Sequence, residues 1–296
     1  MEEKLRLTIW AFEGNGVTLR PIIMLDSAMN SKTPQSPTTP DVSEEEIRQQ
    51  EVFELESPDR TWLSGPRSRW RDAMTLFHVC RDFIRAFRTL HFAGPCVTIF
   101  GSARTAPGSD YYNMAVEMGA ACARLGFTTM TGGGPGIMEA GNKGAFEAGG
   151  CSVGVNIELP FEQHLNPYVH RSVTMRYFFT RKTILVKYSY AFIVLPGGFG
   201  SLDEMFETLT LIQTGKLRNF PLILMGKDYW KPLMELVYHM ADEGTISPGD
   251  PDLIFVTDDV EDAAAHLQRH AVRQFGLRRK AVPRAIKILG ERAVES

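Results

Sequence analysis

The sequence predicts an α/β fold: a parallel sheet covered by helices on both faces, preceded by an N-terminal extension. Two observations predict it. From residue 95 onward, short apolar runs of strand length alternate with longer segments of helical period, the pattern of a parallel sheet with helical crossovers. Three of those runs end in small-residue or glycine-rich turns, and the carboxyl ends of parallel strands are where such sheets bind ligands.

The elements follow in order. "LRLTIWAFEGNGVTLRPIIML" (Leu5 to Leu25) holds two β-rich runs around Glu13-Gly14-Asn15-Gly16, which predicts a hairpin within residues 1–29. Residues 30–60 are rich in Ser, Thr and Pro and then acidic, the composition of a linker. Across 61–94, Trp70, Met74, Phe77, Ile84 and Phe87 recur at helical spacing. An amphipathic helix is expected there, packed on the main body, with a partner interface as the alternative. The main body spans 95–275. Its strands are "CVTIFG", "FTTMT", "CSVGVNI", "VTMRYFF", "YAFIVLP", "PLILMG" and "LIFVTD". Its helices are "DYYNMAVEMGAACARLG", "IMEAGNKGAFEAGG", "TRKTILVKY", "SLDEMFETLTLIQTG", "YWKPLMELVYHMADEG" and "DVEDAAAHLQRHAV". Residues 276–296 carry the basic stretch "LRRKAVPR" and read as a solvated tail.

Composition narrows the function. A net charge of −3 gives no electrostatic case for nucleic acid or an acidic membrane. No apolar run reaches the ~18 residues of a membrane span, and the N-terminus lacks a signal pattern. Cys80, Cys96, Cys122 and Cys151 are far apart in apolar contexts and read as reduced core thiols, so a cytoplasmic location is expected. His266 and His270 stand four apart on a helix, but no zinc signature accompanies them. They read as a solvated face, and no metal is expected.

Glycine placement points to an anion. "VLPGGFGSLDEMFE" (Val194 to Glu207) runs from strand to helix through Gly197, Gly198 and Gly200. Peptide N–H groups at a helix start lack intrahelical acceptors and carry partial positive charge. Glycines there can take positive φ and let an anion approach the backbone, while Ser201 can cap the helix or donate to a phosphate oxygen. Gly132-Gly133-Gly134-Pro135-Gly136 repeats the arrangement, with Glu139 in the following turn as Glu204 is in the other. A third strand ends at "FGSAR", which presents Ser102 and Arg104. Three such ends in one sheet predict a shared phosphate or nucleotide site. Neither loop reads as a P-loop, and neither offers a dinucleotide fingerprint with its distal acid.

The acids add chemistry. Asp203, Glu204 and Glu139 complement helix dipoles, yet Glu204 also lies within a turn of the proposed cradle. A carboxylate beside a bound nucleotide can orient ribose hydroxyls, stabilise an oxocarbenium-like transition state or activate water, the tasks of glycoside cleavage. Arg181 and Lys182 supply complementary charge toward phosphate or toward a departing base.

"GGGPGIMEAGNKGA", Arg181-Lys182 and "PGGFGSLDE", with the spacing between the last two, resemble the Lonely Guy family of nucleoside 5′-monophosphate phosphoribohydrolases. The resemblance covers about Pro95 to Val272. It implies a Rossmann-like, doubly wound α/β fold, a homodimer or larger homo-oligomer, and no cofactor. The implied reaction is hydrolysis of the N-glycosidic bond of a cytokinin riboside 5′-monophosphate or AMP to free base and ribose 5-phosphate. By position, the resemblance assigns catalysis to Arg181 and Glu204. It implies substrate binding at Gly198, Phe199, Gly200, Ser201 and Thr210, with Glu139 as a further contact, and the reading of the loops and charges adds Ser102, Gly133, Gly134, Gly136, Lys182 and Gly197. Ser201 replaces the family's usual Thr and keeps the hydroxyl. "IELPFEQHLNPYVHR" departs from plant members that take cytokinin nucleotides. Some relatives carry the label lysine decarboxylase, but no lysine context for pyridoxal phosphate is present. The alternative is a nucleotide-binding sensor or carrier that performs no chemistry; retention of both Arg181 and Glu204 favours the hydrolase.

Overall fold

The computed structural model describes residues 58–63, 65–66, 68–158 and 164–272. The hairpin read in 1–29, the tail at 276–296 and all of the 30–60 linker except its last three residues lie outside them. Those three residues open a short helix, α1 (Pro58–Leu63), rather than extending a linker.

A long helix, α2 (Arg69–Leu90), precedes the sheet. The main body then alternates β1 (Cys96–Phe100), α3 (Asp110–Arg124), β2 (Thr128–Thr131), α4 (Ile137–Glu147), β3 (Ser152–Ile157) and β4 (Arg171–Met175). It continues with α5 (Phe178–Tyr188), β5 (Ser189–Val194), α6 (Phe199–Gln213), β6 (Leu222–Met225), α7 (Lys227–Asp242), β7 (Ile254–Thr257) and α8 (Val260–Leu267).

The strands form one seven-stranded sheet in the order β4-β3-β2-β1-β5-β6-β7, with every neighbouring pair parallel. Alternation along each strand divides the core. Phe100, Phe192, Val194, Leu222 and Leu224 face α2, α5, α6 and α7 through Leu90, Leu185, Met205 and Trp230. Val97, Ile99, Ile193, Ile223 and Met225 face α3, α4 and α8 through Met118, Ile137 and Leu267. The central strands are buried on both sides, which is why they read as unbroken apolar runs. The fold is therefore doubly wound.

Helix α2 packs differently from the face its periodicity suggests. It buries Asp82, Ala86 and Leu90, and Asp82 accepts a hydrogen bond from Arg176 N at 3.0 Å. The apolar stripe stands in solvent, with Trp70 73% exposed and Met74, Phe77, Ile84 and Phe87 exposed with it. Trp70, Phe77 and Ile84 recur every seven residues, and so do Ala73, Cys80 and Phe87, all exposed. Cys80 is thus a surface thiol rather than a core one, while Cys96 and Cys122 are buried and burial pushes both thiols up. His266 is likewise no freely solvated side chain. It stacks between Phe255 and His270, at 4.1 and 4.4 Å between ring centres, and burial with the neighbouring His270 brings it down to about 4. Among the described residues no group of three or more His, Cys, Asp or Glu could hold a metal, and no helix is long and apolar enough to cross a membrane.

Candidate active site

The strand order reverses direction at β1, whose neighbours are β2 and β5. The helices that follow β1 and β5 lie on opposite faces of the sheet, and at such a point a doubly wound sheet takes its ligands beyond the carboxyl ends of the strands. The three loops singled out in the sequence meet at this point. Ser102 N donates to Pro196 O at 2.9 Å, and Ile137 N, at the start of α4, donates to Ser102 O at 3.1 Å. Gly136 has φ +67°, and a Cβ on it would collide with Ser102 O, so close loop approach and left-handed backbone both require glycine. Tyr229 Oη, from α7, donates to Gly197 O at 2.8 Å and holds the third loop.

The glycines after β5 act through space rather than through unusual dihedrals. Gly197, Gly198 and Gly200 are absent from the positive-φ residues. A Cβ on Gly197 would strike Ser201 Oγ, whereas Gly198 and Gly200 have nothing within 4 Å of that position. The surface above these two is open to a ligand. Helix α6 starts two residues earlier than the sequence suggests, with Gly198 at the N-cap and no side-chain cap. Ser201 is therefore not the cap; it is buried in the first turn. The N–H groups of Phe199 and Gly200 lack intrahelical acceptors, as first-turn donors must. Phe199 projects outward, 92% exposed.

The Gly132–Gly136 loop is held by a buried polar network. Gly133 has φ +76°, and its N–H donates to Thr131 Oγ1 at 2.9 Å, so this N–H is engaged internally rather than offered to an anion. Asn166 N donates to Gly133 O, and Asn166 Nδ2 to Gly134 O. Asn142, fully buried on α4, is the hub. Its Oδ1 accepts from Thr131 Oγ1 at 2.6 Å and Asn166 Nδ2 at 3.0 Å, and its Nδ2 donates to Ser152 Oγ at 2.8 Å.

Beside the open loop stand the two charged residues expected to do chemistry. Glu204 is 4% exposed, and its Oε2 has no hydrogen-bond partner among the described residues. Burial drives its carboxyl up to about 7, against the opposing pull of Arg181 and Lys182. Arg181 reaches it from α5, Nη1 to Oε1 at 4.0 Å, with the Arg181 side chain 15% exposed. Arg181 Nε donates to Val155 O at 2.9 Å, and burial lowers its pKa while Glu204 resists. For both partners desolvation outweighs pairing, so the fold holds two uncomfortable charges together.

The other expected residues have partners of their own. Lys182 Nζ bonds Asp203 at 2.7 Å and pairs with Glu207 at 3.2 Å. Burial pulls Lys182 down, but these two acids outweigh it and leave it above its ordinary value. Its ammonium therefore sits between two acids of α6. Glu139 accepts from Tyr112 Oη at 3.1 Å. Thr210 is exposed beyond the first turns of α6, its hydroxyl donating to Phe206 O. Sequence reasoning named Gly132 only as part of its loop and missed Asn142, Asn166 and Tyr229. Asn142 left one signal, a polar residue on the apolar face of α4; Asn166 left none.

Known proteins resemble this chain over the same region. A family profile described as "Possible lysine decarboxylase" matches residues 138–267. The cytokinin riboside 5′-monophosphate phosphoribohydrolase of Rhodococcoides fascians is 34% identical over 179 residues, covering 58% of this chain and 88% of the relative. The protein of the same name from Mycobacterium tuberculosis is 32% identical over 158 residues, covering 52% and 84%. Among solved structures, the molybdenum cofactor carrier protein of Chlamydomonas reinhardtii matches with a TM-score of 0.46 and 25% identity, over 61% of this chain and 99% of that one. With Arg181 paired to Glu204 and with the two phosphoribohydrolases at 34% and 32% identity covered over most of their length, the chain belongs to the Lonely Guy family of cytokinin riboside 5′-monophosphate phosphoribohydrolases.

Proposed function

We propose that this protein hydrolyses the N-glycosidic bond of nucleoside 5′-monophosphates, releasing the free base and ribose 5-phosphate. The observation that carries the reading is Glu204, a buried carboxylate with an unpartnered oxygen beside the open start of α6. The 5′-phosphate sits over Gly198 and Gly200 and takes the free N–H groups and the dipole of α6. The ribose then lies toward Glu204. As the C1′–N bond breaks, positive charge develops on the sugar, and the ionised Glu204 stabilises it. Water adds to C1′ as hydroxide, its proton passes to the Glu204 carboxylate, and the carboxyl hands that same proton on to the departing base, which restores the carboxylate. Arg181, paired with Glu204 from α5, holds the carboxylate in place.

The relatives' names support an adenine-type base, so AMP and cytokinin riboside 5′-monophosphates are the first substrates to test. The protein acts in the cytoplasm as a homodimer. Support for the dimer is the exposed apolar seam of α2, with its seven-residue repeat. Incubation with a panel of nucleoside 5′-monophosphates, followed by chromatography for free base, tests the reaction. Release of base from AMP and not from adenosine is the expected result. Equal turnover of both, or release from neither, overturns the reading.

A further inference from the structure

Gly132 precedes the two glycines that bend the loop after β2. It is not among the positive-φ residues, so an alanine could adopt its backbone. Its N–H is not part of the network through Thr131, Asn142 and Asn166 that fixes Gly133 and Gly134. Neither dihedral strain nor that network explains a glycine here.

The space beside it does. A Cβ on Gly132 would lie 2.5 Å from Arg181 Nη2 and 2.6 Å from Met138 Sδ. Met138 can swing away on its flexible thioether chain. Arg181 cannot yield as easily, because its Nε is bonded to Val155 O at 2.9 Å and the side chain is largely buried. The guanidinium is bounded by the Val155 carbonyl, by Glu204 4.0 Å from Nη1, and by the bare face of Gly132.

We infer that Gly132 is a positioning residue for Arg181: the missing Cβ makes the slot that seats the guanidinium against Glu204. Its contribution to turnover passes through Arg181, and not through a phosphate contact. This rests on the hydrolase reading only where turnover is measured. A displacement of about an ångström at a reacting centre costs on the order of 10²-fold.

The test is a double-mutant cycle. Gly132→Ala in the parent should lower kcat/KM by roughly 10- to 100-fold. In an Arg181→Lys background, where Nη2 is gone, the same alanine should change kcat/KM by less than about twofold, since non-additivity marks residues acting as a unit. In a Met138→Ala background the full loss should persist. Equal losses in the parent and Arg181→Lys backgrounds, or relief by Met138→Ala, would overturn the inference. A second readout needs no turnover: carbon NMR titration of the Glu204 carboxyl without ligand. Alanine should raise the midpoint in the parent, because the cation moves off, and leave it unchanged with Arg181→Lys. An unchanged midpoint in the parent overturns the seat even if hydrolysis is found. A raised midpoint supports the seat even if no nucleotide is hydrolysed. Should Gly132→Ala fail to fold, Gly132→Ala/Arg181→Lys should recover the Tm of Arg181→Lys; failure of both sinks the proposal.

Discussion

The Arg181 guanidinium and the Glu204 carboxylate stand 4.0 Å apart, largely out of water, and burial acts against both charges. A pair kept for stability alone would gain more from apolar replacements of similar volume. Glu204→Gln should therefore separate chemistry from fold. The amide is close to isosteric but carries no charge toward the ribose. Turnover of the best nucleotide should fall on the order of 10²–10³-fold, while ribose 5-phosphate still binds through the α6 N-terminus. Calorimetric titration alongside a base-release assay checks both halves. A variant as fast as its parent would reduce Glu204 to a residue that merely complements a helix dipole.

The same substitution has a signed effect on stability. The Glu204 carboxyl is raised from 4.5 to about 7, first by burial. Below pH 4.5 the acid is protonated whether folded or unfolded, and its contribution is fully present. Between pH 4.5 and about 7 the unfolded chain ionises first, and stability is progressively lost. The loss levels off above pH 7 at about 3 kcal/mol. Glutamine does not titrate. Urea unfolding at pH 4.5 and pH 8.5 should show Glu204→Gln gaining on the parent as pH rises. A constant gap would mean that Glu204 is not desolvated as the structure has it.

The order of strands and helices was legible because buried parallel strands write themselves as short apolar runs, and glycine loops mark their carboxyl ends. Arg181 and Glu204 were singled out through motif spacing, and the fold brings their side chains together. Other features depend on what lies across from a residue, which one chain of letters does not state. Helix α2 shows this. Its period revealed an apolar stripe, but the buried positions are Asp82, Ala86 and Leu90. Periodicity marks a face and does not say what covers it. The loop glycines show it too: Gly197 and Gly132 are small for neighbouring side chains, whereas Gly133 and Gly136 have left-handed dihedrals. Lys182 read as a charge toward phosphate or toward a departing base, and its acidic partners on α6 were not foreseeable from spacing.

Asn142 offers a test of that hidden layer. Replacing it by alanine strands Thr131 Oγ1, Ser152 Oγ and Asn166 Nδ2 of their shared partner at a fully buried position. Each buried polar group left unsatisfied costs about 1–3 kcal/mol, and since Thr131 Oγ1 keeps the Gly133 N–H and Asn166 Nδ2 keeps the Gly134 carbonyl, the total should come to about 3 kcal/mol. The glycine loop should also loosen, seen as faster amide exchange at Gly133. A change in stability below about 0.5 kcal/mol, the range of ordinary surface substitutions, would show that the network is dispensable.

The exposed seam of α2 decides the last prediction. Trp70, Phe77 and Ile84 form one seven-residue series, and Ala73, Cys80 and Phe87 form another. Apolar residues in these two series place one stripe on a helix of 22 residues, the arrangement that packs helices knobs-into-holes. Most of the stripe stays off the protein's own core, since the helix docks by a different face. Pairing with a second copy across a twofold axis would cover it. The parent should be a dimer by light scattering at micromolar concentration. Phe77→Glu/Ile84→Glu should be a monomer with unchanged circular dichroism, because both side chains are exposed in the single chain. Cys80 gives a geometric check, being an exposed thiol on the seam. If the two helices run parallel, a short bis-maleimide should link Cys80 to its copy in the parent and not in the double variant. A parent that remains monomeric, or a double variant that remains dimeric, would remove α2 from the interface.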